Sequence, residues 1–251
     1  MMRRSVFVGC ACLLAAGGSV RAQQHPQFGY SGASGPAHWG GISEHWGACS
    51  AGRNQSPVNL SRLVEAELAP AEFDYTTFGA DVINTTHAIQ VNYRPGSTLR
   101  VEGRAFTLLQ FHFHAPSEHH LDGRDFPLEA HLVHQDEHGN LAVVGVLFEE
   151  GAPNDLINLL SASMPRGPGQ RSTLGNNITA RGLLPASRRY FRYSGSLTTP
   201  PCTEGVLWIM MKEWMTVSRD QVLAFERALG FANNRPVQPL NARAPLQARD
   251  G

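Results

Sequence analysis

The stretch Gln110-Phe111-His112-Phe113-His114 alternates polar and aromatic side chains. Successive side chains of a β-strand point to opposite faces of the sheet, so this alternation predicts a strand whose two phenylalanines enter a core. Gln110, His112 and His114 then share the other face, with the Cα atoms of the two histidines about 7 Å apart. The stretch therefore predicts a strand that presents two imidazoles side by side.

A second alternating stretch runs from Leu128 to His134 and places Glu129, His131 and Val133 on one face. A proline and an Asp-Gly pair lie between the two stretches and predict a reversal of the chain. We therefore expect the second stretch to lie alongside the first and to bring His131 beside the two histidines there.

Three neutral imidazoles can bind one Zn²⁺ at about 2.0–2.1 Å and leave the fourth tetrahedral position open to water, as in catalytic rather than structural zinc sites. The alternative is three histidines that are packed or exposed without a metal, and the spacing alone leaves it open. Gln110 beside the first pair and Glu129 beside His131 favour a metal, because ligating imidazoles normally donate their other N–H to such groups.

Runs of β-forming residues, separated by turn signals, dominate the rest of the chain. The predicted strands lie within Asp81–Asn92, Thr98–Val101, Phe106–His114, Leu128–His134, Leu141–Phe148 and Val206–Lys212. The predicted helices are Asn154–Met164 and Ser218–Gly230. This order predicts a β-dominated α+β fold, with a single domain over residues 38–245, a flexible arm over 23–37 and a tail over 246–251.

The composition excludes several classes of protein. The hydrophobic fraction is 42% and the charged fraction 17%, which excludes a chain that is mainly disordered. Lys plus Arg and Asp plus Glu each number 21, so there is no basic footprint and we expect no nucleic-acid partner. We also expect no membrane span, because no apolar run reaches roughly 18–20 residues.

The N-terminus predicts export. Two arginines precede an apolar run over 6–16, and small residues before a cut after Ala22 complete a secretory signal peptide over residues 1–22, for which an N-terminal core helix is the alternative. Cys49 and Cys202 remain in the mature chain, an even pair that favours a disulfide over two separate buried thiols in an exported protein. We expect a periplasmic or secreted protein.

Ordered motifs recur along most of the chain, from His38 to about Arg243. Besides the two stretches above, they are His38-Trp39-Gly40, Glu44-His45-Trp46-Gly47, Asn54-Gln55-Ser56-Pro57-Val58, Ser117-Glu118-His119, Ser196-Leu197-Thr198-Thr199-Pro200-Pro201, Trp208 and Arg235-Pro236-Val237-Gln238-Pro239-Leu240. Together they resemble the α-class carbonic anhydrases, and the cysteine pair resembles the disulfide of their exported bacterial members. The resemblance implies a central, mostly antiparallel twisted sheet of about ten strands with short peripheral helices and a zinc ion at the base of a conical cleft. It also implies the reversible hydration of carbon dioxide to bicarbonate and a proton by zinc-bound hydroxide.

By this resemblance His112, His114 and His131 match the ligands of one Zn²⁺ per chain. Thr198 matches the residue whose hydroxyl accepts a hydrogen bond from the hydroxide, and Glu118 matches the carboxylate that accepts the hydrogen bond of that hydroxyl. The pair aims a lone pair at the carbon of carbon dioxide, which is an orientation effect.

Three further sets of residues match positions around the zinc. The groups that hold the ligands are Gln110, Glu129 and the backbone of Asn233. The substrate pocket comprises Val133, Val143, Leu197, Thr199, Val206 and Trp208. The disulfide joins Cys49 to Cys202.

His87 matches the residue that carries the proton away, a role suited to an imidazole because its ordinary pKa is about 6.5. Asn84, Thr85 and Gln90 match polar residues that hold the intervening water chain. The family usually has a tyrosine two residues after the tryptophan of the first His-Trp-Gly motif. Gly41 stands there, which predicts slower or differently routed proton transfer.

The implied partners are carbon dioxide, bicarbonate and water, with sulfonamides and anions as inhibitors and a weak esterase side activity. The resemblance also admits a homodimer. A non-catalytic binding module on the same fold is the alternative function, and the three histidines, the Thr198–Glu118 pair and His87 disfavour it.

Overall fold

The computed structural model describes residues 26–249. The predicted signal peptide over residues 1–22 lies outside the described residues. Within them, no helix is both long and apolar enough to cross a membrane.

Strands form most of the regular structure. In chain order they are β1 (Asn59–Leu60), β2 (Val64–Ala66), β3 (Glu72–Asp74), β4 (Gly79–Asn84), β5 (Ile89–Tyr93), β6 (Thr98–Val101), β7 (Arg104–His114), β8 (His120–Leu121), β9 (Leu128–Gln135), β10 (Leu141–Glu150), β11 (Arg171–Thr173), β12 (Tyr190–Ser196), β13 (Glu204–Met211), β14 (Met215–Val217) and β15 (Leu246–Ala248). The helices are α1 (Trp39–Ile42), α2 (Ala48–Ala51), α3 (Asp155–Ser161) and α4 (Arg219–Leu229). The β-dominated α+β prediction is confirmed.

One large mixed sheet organises the domain. Its main path runs β11-β4-β5-β7-β9-β10-β13-β12-β15-β2, with β6 and then β3 beside β7, and β14 beside β10. Most neighbours are antiparallel, and the parallel pairs are β10 with β13, β10 with β14, and β15 with β2. The three central strands β7, β9 and β10 therefore have hydrogen-bonded neighbours on both sides.

The alternation in β7 sorts its side chains as predicted. Phe111 and Phe113 are 0% and 1% exposed and join the main hydrophobic core on one face of the sheet. A second core, which includes Val143 and Trp208, packs on the other face, where the histidines lie. The sheet thus separates an apolar layer from the side on which the polar residues of β7 gather.

The β-rich run over 81–92 forms two strands, β4 and β5, joined by a tight reversal. The Asn84 side-chain oxygen accepts the Thr86 backbone N–H at 3.0 Å, and Thr86 has φ 75°. The Thr85 hydroxyl accepts the Ala88 N–H at 3.0 Å. Polar side chains that bond to their own backbone make such turns, and this competes with a continuous strand.

The predicted arm and tail are corrected, because both ends of the described chain pack into the domain. The rings of Phe28 and Tyr30 meet Trp39 edge to face at 5.2 and 5.7 Å, and Trp39 Nε1 donates to the carbonyls of Gly29 and Ser34 at 2.9 Å each. At the other end, β15 pairs with β12 and β2. Packing of Phe28 and Tyr30 against the buried ring of Trp39 offsets the conformational entropy that a Gly- and Ser-rich segment loses on ordering.

Two local predictions are confirmed. Helix α4 begins at a capping box in which Ser218 and Gln221 satisfy each other's backbone N–H groups, and it ends at Gly230 with φ 81°. Cys49 and Cys202 form a disulfide with their Cα atoms 5.0 Å apart.

A buried histidine in β9 makes the fold sensitive to acid. His134 is 0% exposed, its Nε2 lies 2.7 Å from the Tyr75 hydroxyl, and burial lowers its pKa to about 4. An unfolded histidine has a pKa of about 6.5, so the unfolded state binds the extra proton first and stability falls as the pH drops from 6.5 to 4. We expect His134 to remove about 3 kcal/mol of stability over that interval.

Replacing His134 with leucine should flatten this dependence. The loss in the free energy of unfolding between pH 7 and pH 4 should be smaller than in wild type by about 3 kcal/mol, as measured by denaturant titration at each pH. The exposed His138→Leu change is the matched control and should leave the dependence unaltered. Parallel curves for wild type and His134→Leu would show that this histidine is not the sensitive group.

Candidate metal centre and cleft

The three predicted histidines converge at the middle of the sheet. The register of β7 against β9 places His112 opposite His131, and His114 lies two residues further along the same face. Their ring centroids are 4.6 to 5.3 Å apart, and their candidate ligand atoms lie within 4.8 Å of one another. The antiparallel pairing of two adjacent strands is therefore sufficient to gather them.

One nitrogen of each ring is held by the protein. His112 Nδ1 lies 2.9 Å from Gln110 Oε1, His114 Nδ1 lies 2.8 Å from the carbonyl oxygen of Asn233, and His131 Nε2 lies 2.7 Å from Glu129 Oε1. These are the three partners that the sequence resemblance assigns to the ligands.

The other nitrogen of each ring has no hydrogen bond within residues 26–249, and His114 Nε2 is a fully buried polar atom without a partner. Buried polar atoms are seldom left unpaired, so a group that accepts lone pairs fits here. Three imidazole nitrogens with their far sides fixed are a donor set that suits Zn²⁺.

The electrostatics keep the rings ready to bind a cation. Burial, and then the neighbouring imidazoles, hold the pKa of His112 well below its ordinary value. Burial likewise lowers the pKa of His114. Both rings are therefore neutral at neutral pH, which is the form that binds a metal.

Glu129 supports His131 from behind. Burial alone would raise its pKa, but the charges and hydrogen bonds of His119 and His131 hold that pKa well below the ordinary value. Its Oε1 lies 2.7 Å from both His119 Nδ1 and His131 Nε2. Because those contacts are hydrogen bonds, the nearby His119–Glu129–His131 group is a support for the site rather than a second metal centre.

Glu118 is 1% exposed and lies on the side of the histidines that faces the metal position, with its Oε2 3.9 Å from His131 Nδ1. Its Oε1 accepts the Arg235 backbone N–H at 2.8 Å, and its Oε2 lies 3.5 Å from His114 Nε2. Burial raises its pKa to about 7, against the opposing effects of His131, the Thr198 hydroxyl and the Arg235 N–H. With Oε1 already engaged, Oε2 is the oxygen available to the Thr198 hydroxyl.

A cleft of about 300 Å³ opens above the three histidines. One wall is apolar and is formed by Val133, Val143, Leu197 and Trp208, with Thr198 and Thr199 beside it. Val206 does not line the cleft; it packs behind this wall in the same core cluster.

The other wall is polar and carries His87, Thr85, Gln90 and Gln110. The predicted water-chain residue Asn84 is not part of it. Asn84 is 1% exposed. Its amide NH₂ donates to the Ala228 carbonyl, and its amide oxygen accepts the Thr86 backbone N–H. Its role is to shape the β4–β5 turn that presents His87.

Phe28 and Tyr30 are cleft residues that the sequence analysis missed. The Phe28 ring stacks on His87 at 3.8 Å, and the Phe28 carbonyl oxygen lies 2.7 Å from His87 Nε2. The Tyr30 hydroxyl is buried without a partner in the described residues, and burial and then the Glu118 charge raise its pKa well above the ordinary value.

Gly41, where the family pattern places a tyrosine, is exposed in α1, and the slower or differently routed proton transfer predicted from it stays a prediction. A tyrosine does reach the cleft, from a segment nearer the N-terminus. The sequence carries a signal for this tyrosine. In Phe28-Gly29-Tyr30 a tyrosine lies two residues after an aromatic residue, which is the spacing that was expected after Trp39.

Known proteins are similar to this chain in sequence and in fold. The family described as eukaryotic-type carbonic anhydrase matches residues 34–247. The chain is 46% identical over 224 residues to a carbonic anhydrase of Neisseria gonorrhoeae, which covers 89% of this chain and 88% of the relative.

Two solved structures superpose with a TM-score of 0.87 each, covering 89% of this chain and 100% of theirs. One, 48% identical, is a hyperthermostable carbonic anhydrase from an active hydrothermal vent chimney. The other, 46% identical, is the α-carbonic anhydrase of Thermovibrio ammonificans in complex with the inhibitor sulfanilamide.

Proposed function

The chain belongs to the eukaryotic-type, or alpha, carbonic anhydrase family and hydrates carbon dioxide reversibly, and from that premise we propose how its residues divide the work. His112, His114 and His131 hold one Zn²⁺ through the three nitrogens that the protein leaves unbonded. This convergence of three imidazoles, each held on its far side by a hydrogen-bond partner, is the observation that carries the proposal. Zinc bound there supplies a water-derived nucleophile at neutral pH.

Thr198 and Glu118 orient the reacting water. An ionised carboxylate only accepts hydrogen bonds, so the Thr198 hydroxyl must donate to Glu118 and is left with its oxygen as an acceptor towards the histidines. A cation between the imidazoles favours the ionised form of Glu118, because an opposite charge nearby stabilises it. The hydrogen bonds through the Thr198–Glu118 pair, which we call the gate, therefore run in one direction. This removes unproductive orientations of the water-derived nucleophile.

The apolar wall accepts carbon dioxide. The substrate carries no charge, so Val133, Val143, Leu197 and Trp208 bind it by excluding water rather than by hydrogen bonding. Thr199 at the mouth and Val206 behind the wall complete the pocket. Arylsulfonamides fit the same cleft, by analogy with the sulfanilamide complex of the Thermovibrio ammonificans relative.

Stopped-flow carbon dioxide hydration by the purified mature chain tests the proposal. We expect fast hydration that is lost on chelation and returns when Zn²⁺ is added back. A chain that holds zinc and still fails to hydrate carbon dioxide would favour the alternative of a non-catalytic binding module. A specificity constant much higher for an activated ester than for carbon dioxide would make hydrolysis the main activity instead.

His87 carries the product proton to buffer. Its Nε2 lies 2.7 Å from the Phe28 carbonyl oxygen, which can only accept, so Nε2 carries the proton of the neutral ring. Its Nδ1 lies 3.0 Å from the Thr86 hydroxyl and is the nitrogen left to take up a proton at the cleft rim. We expect His87→Ala to retain zinc and kcat/KM but to lower kcat by about 100-fold, the lower end of the range for general acid–base catalysis, when buffer is scarce.

High concentrations of imidazole buffer should restore the kcat of His87→Ala, because a diffusing base then replaces the missing ring. The exposed His138→Ala change serves as the matched control and should leave kcat unaltered at every buffer concentration. Wild-type kcat in dilute buffer for His87→Ala would remove this residue from the proton path.

Export fits the same proposal. Residues 1–22 carry the sequence pattern of a signal peptide, and the Cys49–Cys202 disulfide suits an oxidising compartment. We infer a periplasmic or secreted enzyme.

A further inference from the structure

A row of polar side chains leads away from the polar wall of the cleft. Asp81 on β4 pairs with Asn92 on β5, and Gln90 lies two residues before Asn92 on the same face. Gln90 in turn pairs with His112 on β7, and Asn92 with Gln110. The row therefore connects the neighbours of the metal centre with the outer part of the sheet.

Hydrogen bonds run along this row without a break. Gln90 Nε2 donates to Asn92 Oδ1 at 2.7 Å, and Asn92 Nδ2 donates to Asp81 Oδ1 at 2.8 Å. The Asp81 carboxylate is mostly buried, with 17% of its side chain exposed, and Arg171 Nε lies 3.5 Å from the same oxygen.

The carboxylate fixes the direction of every bond in the row. An ionised aspartate can only accept, so the end of Asn92 that faces it must be the NH₂ group. The Asn92 side-chain oxygen is then the acceptor that faces Gln90, and Gln90 must donate to it from its own NH₂ group. The amide oxygen of Gln90 is therefore the end left for the cleft.

The neighbouring glutamine is fixed in the opposite sense. Gln110 Oε1 lies 2.9 Å from His112 Nδ1, which must be a donor if His112 Nε2 binds a metal. The amide NH₂ of Gln110 is then the free end, so the polar wall offers an acceptor at Gln90 and a donor at Gln110.

We propose that Asp81 and Asn92 are positioning residues for proton transfer, which act by holding the carbonyl oxygen of Gln90 towards the cleft. A water in a proton path accepts one hydrogen bond and donates one along the path, and its second O–H needs an acceptor on the wall. The Gln90 oxygen supplies that acceptor. An NH₂ group in its place occupies a lone pair of the water and leaves the second O–H unpaired.

The inference rests on the proposed proton path through His87. Asp81→Asn tests it, because the new amide has nearly the same shape but can also donate. Asn92 can then turn over, and Gln90 with it, so the cleft receives an NH₂ group in part of the molecules. We expect kcat in dilute buffer to fall severalfold, with kcat/KM, zinc content and melting temperature unchanged, and with kcat restored by concentrated imidazole.

Arg171→Gln is the matched control. It removes the ion pair at Asp81 Oδ1 but keeps the carboxylate as an acceptor for Asn92, so kcat in dilute buffer should stay at the wild-type value. Asn92→Leu breaks the row, frees Gln90 to turn, and should lower kcat in dilute buffer as Asp81→Asn does.

Two outcomes would overturn the inference. One is a wild-type kcat in dilute buffer for Asp81→Asn. The other is an equal fall in kcat and kcat/KM, which would indicate a structural role for the aspartate. Both are distinct from failure of the proposed function, in which the wild-type enzyme itself shows no zinc-dependent hydration or no dependence of kcat on His87.

Discussion

His112→Ala is expected to remove bound zinc and carbon dioxide hydration together. The substitution deletes one of only three ring nitrogens that face the metal position, and it leaves the amide of Gln110 without its partner. Loss of a residue that merely orients a ligand costs roughly 10–100-fold in metal affinity or activity, so loss of the ligand itself should cost more. Zinc content by elemental analysis and stopped-flow hydration, measured on the same preparation, check this.

Gln110→Ala is the matched comparison for His112→Ala, because it removes the hydrogen-bond partner and keeps the ligand. We expect it to retain zinc at saturating metal and to bind it roughly 10–100-fold more weakly. His112→Ala protein that keeps one zinc per chain and hydrates carbon dioxide would show that the metal lies elsewhere.

The three histidines of the candidate metal site could be predicted from the sequence because the contacts that bring them together are mostly local. In the two stretches around His112 and His131, each predicted ligand is separated by one residue from a polar neighbour. The alternation of side chains in a strand is sufficient to place such neighbours on the same face of the sheet. The register between β7 and β9 then needed only one chain reversal. Local spacing and the family motifs therefore predicted the same residues.

Contacts between distant parts of the chain were harder to foresee. The Asn233 carbonyl that holds His114 is 119 residues away in sequence, and no spacing rule connects the two. Asn233 and Val206 were placed by family motifs, which transfer identity but not geometry. Val206 accordingly lies behind the wall rather than on it.

The N-terminal segment shows how composition can mislead. Its glycines and serines predict a loose arm, yet Phe28 and Tyr30 dock on Trp39, and that docking is a tertiary effect. The family pattern predicts the cleft tyrosine two residues after Trp39, where Gly41 stands. The aromatic residue two positions before Tyr30 is Phe28 rather than the tryptophan of the family pattern, and for that reason the motif was not recognised.

The second large effect is expected at the gate. Thr198→Ala should lower kcat/KM by about 100-fold or more, because it deletes the hydroxyl that we propose relays hydrogen bonding from Glu118 to the reacting water. Thr198→Ser keeps that hydroxyl and should stay near the wild-type value. Both variants should retain zinc, because Thr198 provides none of the three ring nitrogens.

Glu118→Gln should produce a similar loss by another route. Its amide oxygen can still accept, but its NH₂ group can also donate to Thr198, so the hydroxyl loses its single direction and the water loses its fixed acceptor. The Arg235 N–H bond holds the amide oxygen at the Oε1 position, which places the NH₂ group towards Thr198 and favours the reversed hydrogen bond. Zinc content measured first separates this effect from loss of the metal.

The double variant decides whether the two residues act as one device. If Thr198 works only through its bond to Glu118, then Thr198→Ala combined with Glu118→Gln should be no slower than the slower single variant, because the second change removes an interaction that is already lost. Losses in kcat/KM that multiply would mean that each residue contacts the reacting groups independently. In that case the buried carboxylate would act on the metal centre itself, from its 3.5 Å approach to His114 Nε2, rather than through the threonine.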